Sequence, residues 1–374
     1  MSEWGEWLAL EGRAGRADDA ALWGVDLSGE QKKIEAALAE LGRRVPDPAQ
    51  PQTAPEADTL DRRSALDWLN ALDVHPLAKK AFAAHLRSEY AVEPDHYSLL
   101  DFARWGAFYY NDPDQDEPAF RIVGGNDLLP QAMARALPEV RLGAQVLAIE
   151  QEGDVVRVRY RAGETAHSIE SDFAVLAIPL GPARHIEFDP PLPPKHRAML
   201  SGLTYGVATK ILLQYRRRFW QEVGCSGSLL TDLPLTCTWE ATRGQPGESG
   251  ILTVYTGAAC GAASAKSSEA DRIADAIEQV DQIFSGSARE VIAARSLAWL
   301  TDSLALGAYA AFAPGEVTAH WDTLRLPVGR LFLAGEHTAV HQGYMEGALE
   351  SGQRVAEEIL TGMRTQITPR GADA

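Results

Sequence analysis

The apolar positions of this chain change period along its length, and each change marks an element. In residues 30–44, Ile34, Leu38 and Leu41 recur at the spacing of a helix that buries one face. The whole of residues 1–45 reads as helical in character. The segment Pro46-Asp-Pro-Ala-Gln-Pro-Gln-Thr-Ala-Pro55 cannot hold a helix, because proline lacks the N–H and clashes with the preceding turn. It reads as a surface loop or a boundary. Residues 61–72 and 76–88 predict two more helices, the first with Leu66, Leu69 and Leu72 on one face. From Phe120 the pattern shortens. Phe120-Arg-Ile-Val-Gly-Gly predicts a strand entering a double-glycine turn, 127–137 a helix and Val140-Arg-Leu a short strand. Residues 146–150 and 155–160 flank Glu152-Gly-Asp154 as a hairpin, with Val156, Val158 and Tyr160 alternating. The run 173–179 is apolar throughout and closes on Pro179, as in a strand covered on both faces. Residues 203–215 and 251–256 predict strands, and 268–284 a helix with Ile273, Ile277, Val280 and Phe284 in register. A last strand at 331–334 and a last helix at 344–360 complete the alternation, which predicts a mixed α/β protein in two interwoven parts.

Composition narrows the function classes. The 374 residues are 45% hydrophobic and 23% charged, as in a globular chain of one or two domains. No apolar run approaches the ~18 residues that span a bilayer, so no membrane partner is expected. The opening Met1-Ser-Glu-Trp-Gly-Glu-Trp is acidic and aromatic, unlike a signal peptide. A net charge of −17 argues against nucleic acid and anionic lipid, whose phosphates need Lys and Arg. Cys225, Cys237 and Cys260 form no C-x-x-C pair, which predicts free thiols in a reducing, cytoplasmic compartment. The nine histidines include one H-x-x-x-H spacing, His337-Thr-Ala-Val-His341, and no H-E-x-x-H, and no metal site is expected.

The densest chemistry lies near the C-terminus, in Leu331-Phe-Leu-Ala-Gly-Glu-His-Thr and then His341-Gln-Gly-Tyr-Met-Glu-Gly-Ala-Leu-Glu-Ser-Gly352. A strand ending in Ala334-Gly335-Glu336 puts a carboxylate at a sheet rim, where crevice ligands lie. Gly343 permits close backbone approach. The helix from Tyr344 aims N–H groups and about half a positive charge at whatever sits there. Ala348 and Gly352 keep one helix face small. The same pattern also fits an ordinary strand, turn and helix that closes a domain.

This segment resembles the C-terminal signature of the flavin-containing monoamine oxidase family, which includes polyamine oxidases and L-amino-acid oxidases. Upstream fragments follow in family order: Gly124-Gly125-Asn-Asp-Leu-Leu-Pro, the strands from Val146 to Pro179, Phe188-Asp-Pro-Pro-Leu-Pro-Pro, Tyr205-Gly-Val-Ala-Thr-Lys210 and Phe219-Trp220. Trp299, Gly307-Ala-Tyr309 and Pro314-Gly315 complete the series, and the match covers roughly residues 58–362. The resemblance implies an incomplete FAD-binding Rossmann-like domain interleaved with a substrate-binding domain of mixed sheet and helices. It implies a helical N-terminal segment and linker at 1–56, helices of the substrate domain at 57–119 and FAD-domain strands at 120–200. The substrate-binding domain would then span 201–324, the FAD-binding strand, turn and helix 325–364, and a tail 365–374.

The implied roles follow the motif positions. Gly335 and Glu336 would contact the ribityl–pyrophosphate region of FAD, and Gly343, Tyr344 and Met345 the pyrimidine end of the isoalloxazine. Val146 would meet the adenine part through its backbone, with Pro179 nearby, and Trp299 would pack on the ring system. Lys210 matches the lysine that holds a water at flavin N5, and Tyr309 and Tyr344 the ring pair that flanks the substrate nitrogen. By pattern alone Lys210, between Thr209 and Ile211 on a strand, is a solvated edge lysine, and His337 and His341 are hydrogen-bonding loop residues. The implied reaction is hydride transfer from the Cα of an amine or amino acid to flavin N5, then imine hydrolysis, with O2 giving hydrogen peroxide. A carboxylate-binding arginine would mark an amino-acid oxidase; Arg104, Arg121, Arg184 and Arg243 are candidates.

The sequence departs from the family pattern twice. Some members attach FAD through a cysteine just before the first cage tyrosine; Ala308 stands there, so FAD is expected to be non-covalent. Members also begin with a strand, Gly-x-Gly-x-x-Gly and a helix, followed about 20 residues later by an acidic residue. This chain contains no Gly-x-Gly, and Gly12-Arg-Ala-Gly15 follows no evident apolar strand. Three readings stay open: one subunit of a split enzyme whose GxGxxG unit is a separate polypeptide or which assembles as a homo-oligomer, a truncated oxidase, or a non-catalytic relic that binds a partner. Met1 and an amphipathic opening speak against a random cut. The split reading predicts that Ala334–Glu336, Val146 and 173–179 are exposed and apolar.

Overall fold

The computed structural model describes residues 7–111 and 122–367. The fold is mixed α/β. Helices Leu27–Gly42, Ala57–Asp61, Ala65–Ala71, Pro76–Tyr90 and Leu99–Asn111 form one body. Each start has a local cause. The Asp26 side chain accepts from Gly29 N, and Ser64 and Asp67 form a reciprocal capping box. The helices Leu27–Gly42 and Leu99–Asn111 pack backbone to backbone. A Cβ on Gly42 would lie 2.5 Å from Ala107 N, and one on Gly106 would lie 2.8 Å from Leu38 O, so neither position accepts a side chain without moving a helix. Trp68, Phe82, Tyr90, Tyr97 and Phe102 fill the centre of this body, Trp68 meeting Phe102 edge-on at 5.3 Å. The Pro-rich loop lies on the same core: Val45 and Ala54 are buried in it, and Trp321 Nε1 donates to Ala49 O at 3.1 Å.

The helical reading of residues 1–45 fails at its start. Trp7–Leu10 and Arg13–Arg16 form an antiparallel hairpin, turned through Glu11 and Gly12 at φ 53° and 74°. Trp7–Leu10 runs parallel to Leu229–Thr231 and buries Leu8 and Leu10. A four-residue strand is too short for its period to stand out beside a long helix. Gly12 and Gly15 therefore do follow an apolar strand, but that strand turns back on itself rather than entering a helix. The hairpin closes one edge of a seven-stranded sheet ordered Val291–Ala298, Ala208–Tyr215, Gly250–Gly257, Cys237–Glu240, Leu229–Thr231, Trp7–Leu10 and Arg13–Arg16. The helix Glu269–Ile283, capped by Ser268, covers one face of this sheet with Ala276 and Val280.

The remaining strands form two smaller sheets. Ala144–Glu152 and Val155–Ala162 pair as the sequence predicts, joined by Thr165–Ser171 and Glu187–Asp189, two strands its pattern did not reveal. Leu331–Leu333 pairs in parallel with Ala174–Leu176 in a sheet of two strands. The run 173–179 is thus a three-residue strand, not one covered on both faces: Val175 is 45% exposed and Ile178 also faces water. The double-glycine turn stands, with Gly124 and Gly125 at φ 95° and 119°, and the helix Leu128–Ala136 follows it. None of that helix is buried. Val140-Arg-Leu is not a strand, and Leu142 is 90% exposed. Of the strand expected at Phe120, Phe120 and Arg121 lie outside the described residues, and Ile122 and Val123 are not in a strand.

Candidate active site

A cavity of about 870 Å³ opens where the helical body, the seven-stranded sheet and the C-terminal segment meet. Lys210 enters it from Ala208–Tyr215. That strand lies inside the sheet, between Gly250–Gly257 and Val291–Ala298, so Lys210 is not an edge lysine. It stands opposite Tyr255, which stands opposite Cys237, so all three share one face of the sheet. Two residues beyond Cys237, Trp239 points the same way. Lys210 Nζ lies 5.4 Å from the Trp239 ring and 5.4 Å from the Trp299 ring. Burial between the indoles pushes the Lys210 amine below its ordinary range, with a counter-effect from Cys237. Burial also holds the Cys237 thiol up at about 12, so it is neutral.

Tyr309 lines the cavity, and Gly343 and Met345 reach it from the turn and first residue of the helix Met345–Ile367. Gly343 sits at φ 76°, and a Cβ there would meet the Tyr309 ring at 3.1 Å, so glycine lets this turn lie against the ring. Tyr309 and Tyr344 together line an adjoining recess of about 110 Å³. One residue fixes both phenols. The Tyr309 hydroxyl donates to Glu89 O at 2.9 Å, and the Tyr344 hydroxyl donates to Glu89 Oε1 at 3.0 Å. Tyr109 donates in turn to the Tyr344 hydroxyl at 2.9 Å. Burial raises both the Tyr309 and Tyr344 phenols above their ordinary range, so they stay protonated.

Glu336 sits behind the ring pair. Its Oε1 accepts from Ala310 N at 3.1 Å and its Oε2 from Gly343 N at 2.8 Å. Burial raises its carboxyl and the two N–H donors draw it back down. In this arrangement Glu336 ties the loop that carries Tyr309 to the loop that carries Tyr344. Gly335 N donates to Ser351 Oγ at 2.9 Å, which seats the turn on the last helix. His337 is buried and held at about 4, first by burial and then by the Arg354 charge. His341 pairs with Glu350 at 3.4 Å.

The structure therefore brings Lys210, Trp299, Tyr309, Gly343, Tyr344 and Met345 together, with Glu336 and Gly335 as support directly behind. It leaves two expected residues elsewhere. Val146 lines a separate cavity with Arg141, Val158 and Tyr160, and Pro179 caps the short helix Leu180–Ala183. Ala334, expected at an open surface, is 3% exposed. Of the candidate arginines, Arg104 is buried and spent on Asp101, Val340 O and Gln342. Arg184 donates to Leu200 O and Leu203 O, and Arg243 to Ser226 O. Arg121 lies outside the described residues. The sequence reading did not find Glu89, Trp239, Tyr255 or Tyr109. Trp239 and Tyr255 were discoverable only through strand register, and Glu89 only through the packing of its helix.

The donors suit one end of a flavin. A flat ring could rest along Gly343–Met345 at the start of a 23-residue helix, with Trp299 and Lys210 across the cavity. A pyrophosphate calls for a glycine-rich strand-to-helix turn, and the described residues contain none. The sequence matches the family of flavin containing amine oxidoreductases over residues 10–360. The chain belongs to that family. It is 31% identical over 245 residues to an L-amino-acid oxidase of Demansia vestigiata, covering 64% of this chain and 47% of the relative. A Mycobacterium tuberculosis (strain ATCC 25618 / H37Rv) relative, AofH, named among flavin-containing monoamine oxidases, is 32% identical over 328 residues, covering 85% of this chain and 70% of its own length. The chain spans about half the length of the L-amino-acid oxidases it matches. Its fold is that of putrescine oxidase, with a TM-score of 0.83 at 22% identity over 96% of this chain and 81% of the other. Cyclohexylamine oxidase from Brevibacterium oxydans IH-35A gives a TM-score of 0.81 at 22% identity over the same shares. Among the described residues no helix is long and apolar enough to cross a membrane.

Proposed function

We propose that this chain carries the substrate side and the isoalloxazine end of an FAD-dependent amine oxidase. The observation that carries this reading is Lys210 Nζ held between the Trp239 and Trp299 rings, in the cavity that Tyr309, Gly343 and Met345 also line. Bound FAD, non-covalent because Ala308 offers no thiol, would supply the acceptor for the hydride of a primary or secondary amine or an α-amino acid, with O2 as the final oxidant and peroxide as product. The chain's own residues prepare that step. Tyr309 and Tyr344 orient the nitrogen and exclude water, and their neutral phenols add no charge beside it. Lys210, deprotonated more easily than an ordinary lysine, holds a water and passes its proton. Gly343, Tyr344 and Met345 present a helix N-terminus to developing negative charge. Gly335 and Glu336 keep both tyrosine loops in register. Val146 and Pro179 line neither cavity, and their adenine role in this proposal rests on the family resemblance alone.

The rest of the cofactor site comes, in this proposal, from a GxGxxG-bearing unit on a second polypeptide or on the remainder of a longer chain. The exposed helix Leu128–Ala136 and the two-stranded parallel sheet support this, because parallel sheets stand with both faces covered. The divisions at 57, 120, 201 and 325 follow as the boundaries between substrate-side and cofactor-side segments, in a cytoplasmic enzyme. The test is co-expression with a GxGxxG-bearing partner. We expect a yellow complex that releases peroxide with amines, and a lone chain without stoichiometric FAD. A lone chain that purifies with full FAD overturns the need for a partner. In the complex, Tyr344→Ala should lower kcat/KM tenfold or more while FAD stays bound; loss of FAD instead would assign Tyr344 to cofactor packing.

A further inference from the structure

We propose that the back of the seven-stranded sheet carries a second, non-catalytic binding site for a zwitterion with an elongated apolar body, an aromatic α-amino acid. Side chains alternate along a strand, so Ile211 and Thr256 point away from the cavity that Lys210 and Tyr255 enter. On that far face lies a groove of about 620 Å³. The helices Ala258–Lys266 and Glu269–Ile283 pack against the sheet there, and both line the groove. Its floor is apolar, formed by Ile211, Val254 and Leu235. On the side of Ala258–Lys266 the wall is low, because Ala259 and Ala263 present only methyl groups. One sheet separates the groove from the catalytic cavity, and no lining residue is common to the two.

Charge and a buried hydroxyl select the ligand. Arg272 and Asp275 are one turn apart on Glu269–Ile283, Glu278 follows one turn further, and all three line the groove. Opposite charges at this spacing can pair, but among the described residues no ion pair holds any of the three. Arg272 is turned instead to Ser296 Oγ at 3.0 Å and to Ser267 O at 2.5 Å. A simple carboxylate would meet two like charges here, and a simple amine would meet Arg272. A zwitterion sets its carboxylate on the guanidinium and its ammonium beside Asp275 and Glu278. Thr256 marks the other end. It is 6% exposed and lines the groove, and its hydroxyl has no hydrogen-bond partner among the described residues. A buried hydroxyl left unpaired is unfavourable, so a guest that offers it a polar atom gains affinity. Register sets the span. Ser296 stands opposite Ile211, and Ile211 opposite Val254, two residues before Thr256. Thr256 therefore lies two strands in from Ser296, roughly 10 Å or more at the spacing of paired strands. An aromatic side chain with a polar tip, as in tyrosine, bridges an apolar floor of that length.

Two cysteines report the two cavities separately, since Cys260 lines the groove and Cys237 the catalytic cavity. The full chain is treated with N-ethylmaleimide with and without L-tyrosine, and labelling at each cysteine is read by peptide mass spectrometry. We expect tyrosine to slow labelling of Cys260 fivefold or more. Tyramine lacks the carboxylate and 3-(4-hydroxyphenyl)propionate lacks the ammonium; each should slow it less than twofold at the same concentration. L-Phenylalanine should bind several-fold more weakly than tyrosine, and Thr256→Val should remove that difference. Protection confined to Cys237, or equal protection of Cys260 by all three phenols, overturns the site. Those comparisons use the wild-type chain and stand even if Thr256→Val fails to fold. Calorimetric titration locates the site independently. Tyrosine binding that survives Tyr344→Ala and is lost in Ala263→Trp, which fills the groove, supports it. Binding lost in Tyr344→Ala and kept in Ala263→Trp overturns it. None of these readouts needs turnover, so failure of the oxidase reading would leave them unchanged.

Discussion

The helices Leu99–Asn111 and Leu128–Ala136 both carry an apolar face, and they meet opposite fates. In the first, every residue from Leu99 to Ala107 is buried, including the charges of Asp101 and Arg104. In the second, none is. The first is enclosed by Leu27–Gly42, Ala57–Asp61 and Ala65–Ala71, so even its ions are desolvated and must be paired. The second follows a double-glycine turn onto open surface, with Val123 95% exposed beside it. An amphipathic pattern states that a face favours burial; it does not say what covers it.

Four experiments press on this difference. The largest effect belongs to Arg104→Ala. It leaves Asp101 buried without its cation and unties Val340 and Gln342, and should cost about 3–5 kcal/mol of stability in urea denaturation. A loss under about 1 kcal/mol would mean the enclosed side is not rigid. Next is acid. His337 is held at about 4, below the ordinary 6.5, so the unfolded chain takes up its proton first. The stability it contributes is intact above pH 6.5 and is lost as pH falls towards 4, on the order of 3 kcal/mol in all. His337→Asn should flatten that part of the pH–stability curve. Third, Glu336→Gln turns an NH2 towards one of the Ala310 and Gly343 N–H donors and should lower stability by about 1.5–3 kcal/mol, with FAD retention in the complex falling in step. The smallest effect is on the open side. Leu142→Ser should shift stability by less than about 0.5 kcal/mol and yet reduce self-association in light scattering. A large destabilisation there would show that the segment is packed after all.

Long periodic elements were legible in the sequence. The helix with Ile273, Ile277 and Val280, the hairpin about Gly153, and the strand, turn and helix at Leu331–Gly352 all appear where their patterns put them. Short strands were not. Trp7–Leu10 offers four residues of pattern, and only its pairing with Leu229–Thr231 makes it a strand. Local chemistry also marked the tyrosines, Lys210 and the glycine turn at 343. Their convergence was another matter. Lys210 alternates as an exposed edge residue would, and it is interior because Gly250–Gly257 and Val291–Ala298 flank its strand.

What the sequence determined by itself is the set of local preferences: helix starts at Asp26, Ser64 and Ser268, turns at glycines that tolerate positive φ, and the residue types a flavin oxidase site would use. What only the tertiary structure decided is which of those residues share a space. Glu89 meets Tyr309 and Tyr344 across more than two hundred residues, and Trp239 meets Lys210 through strand register. Such contacts arise from long-range packing, whose energy is spread over many side chains and leaves no periodic mark on any one segment of the chain.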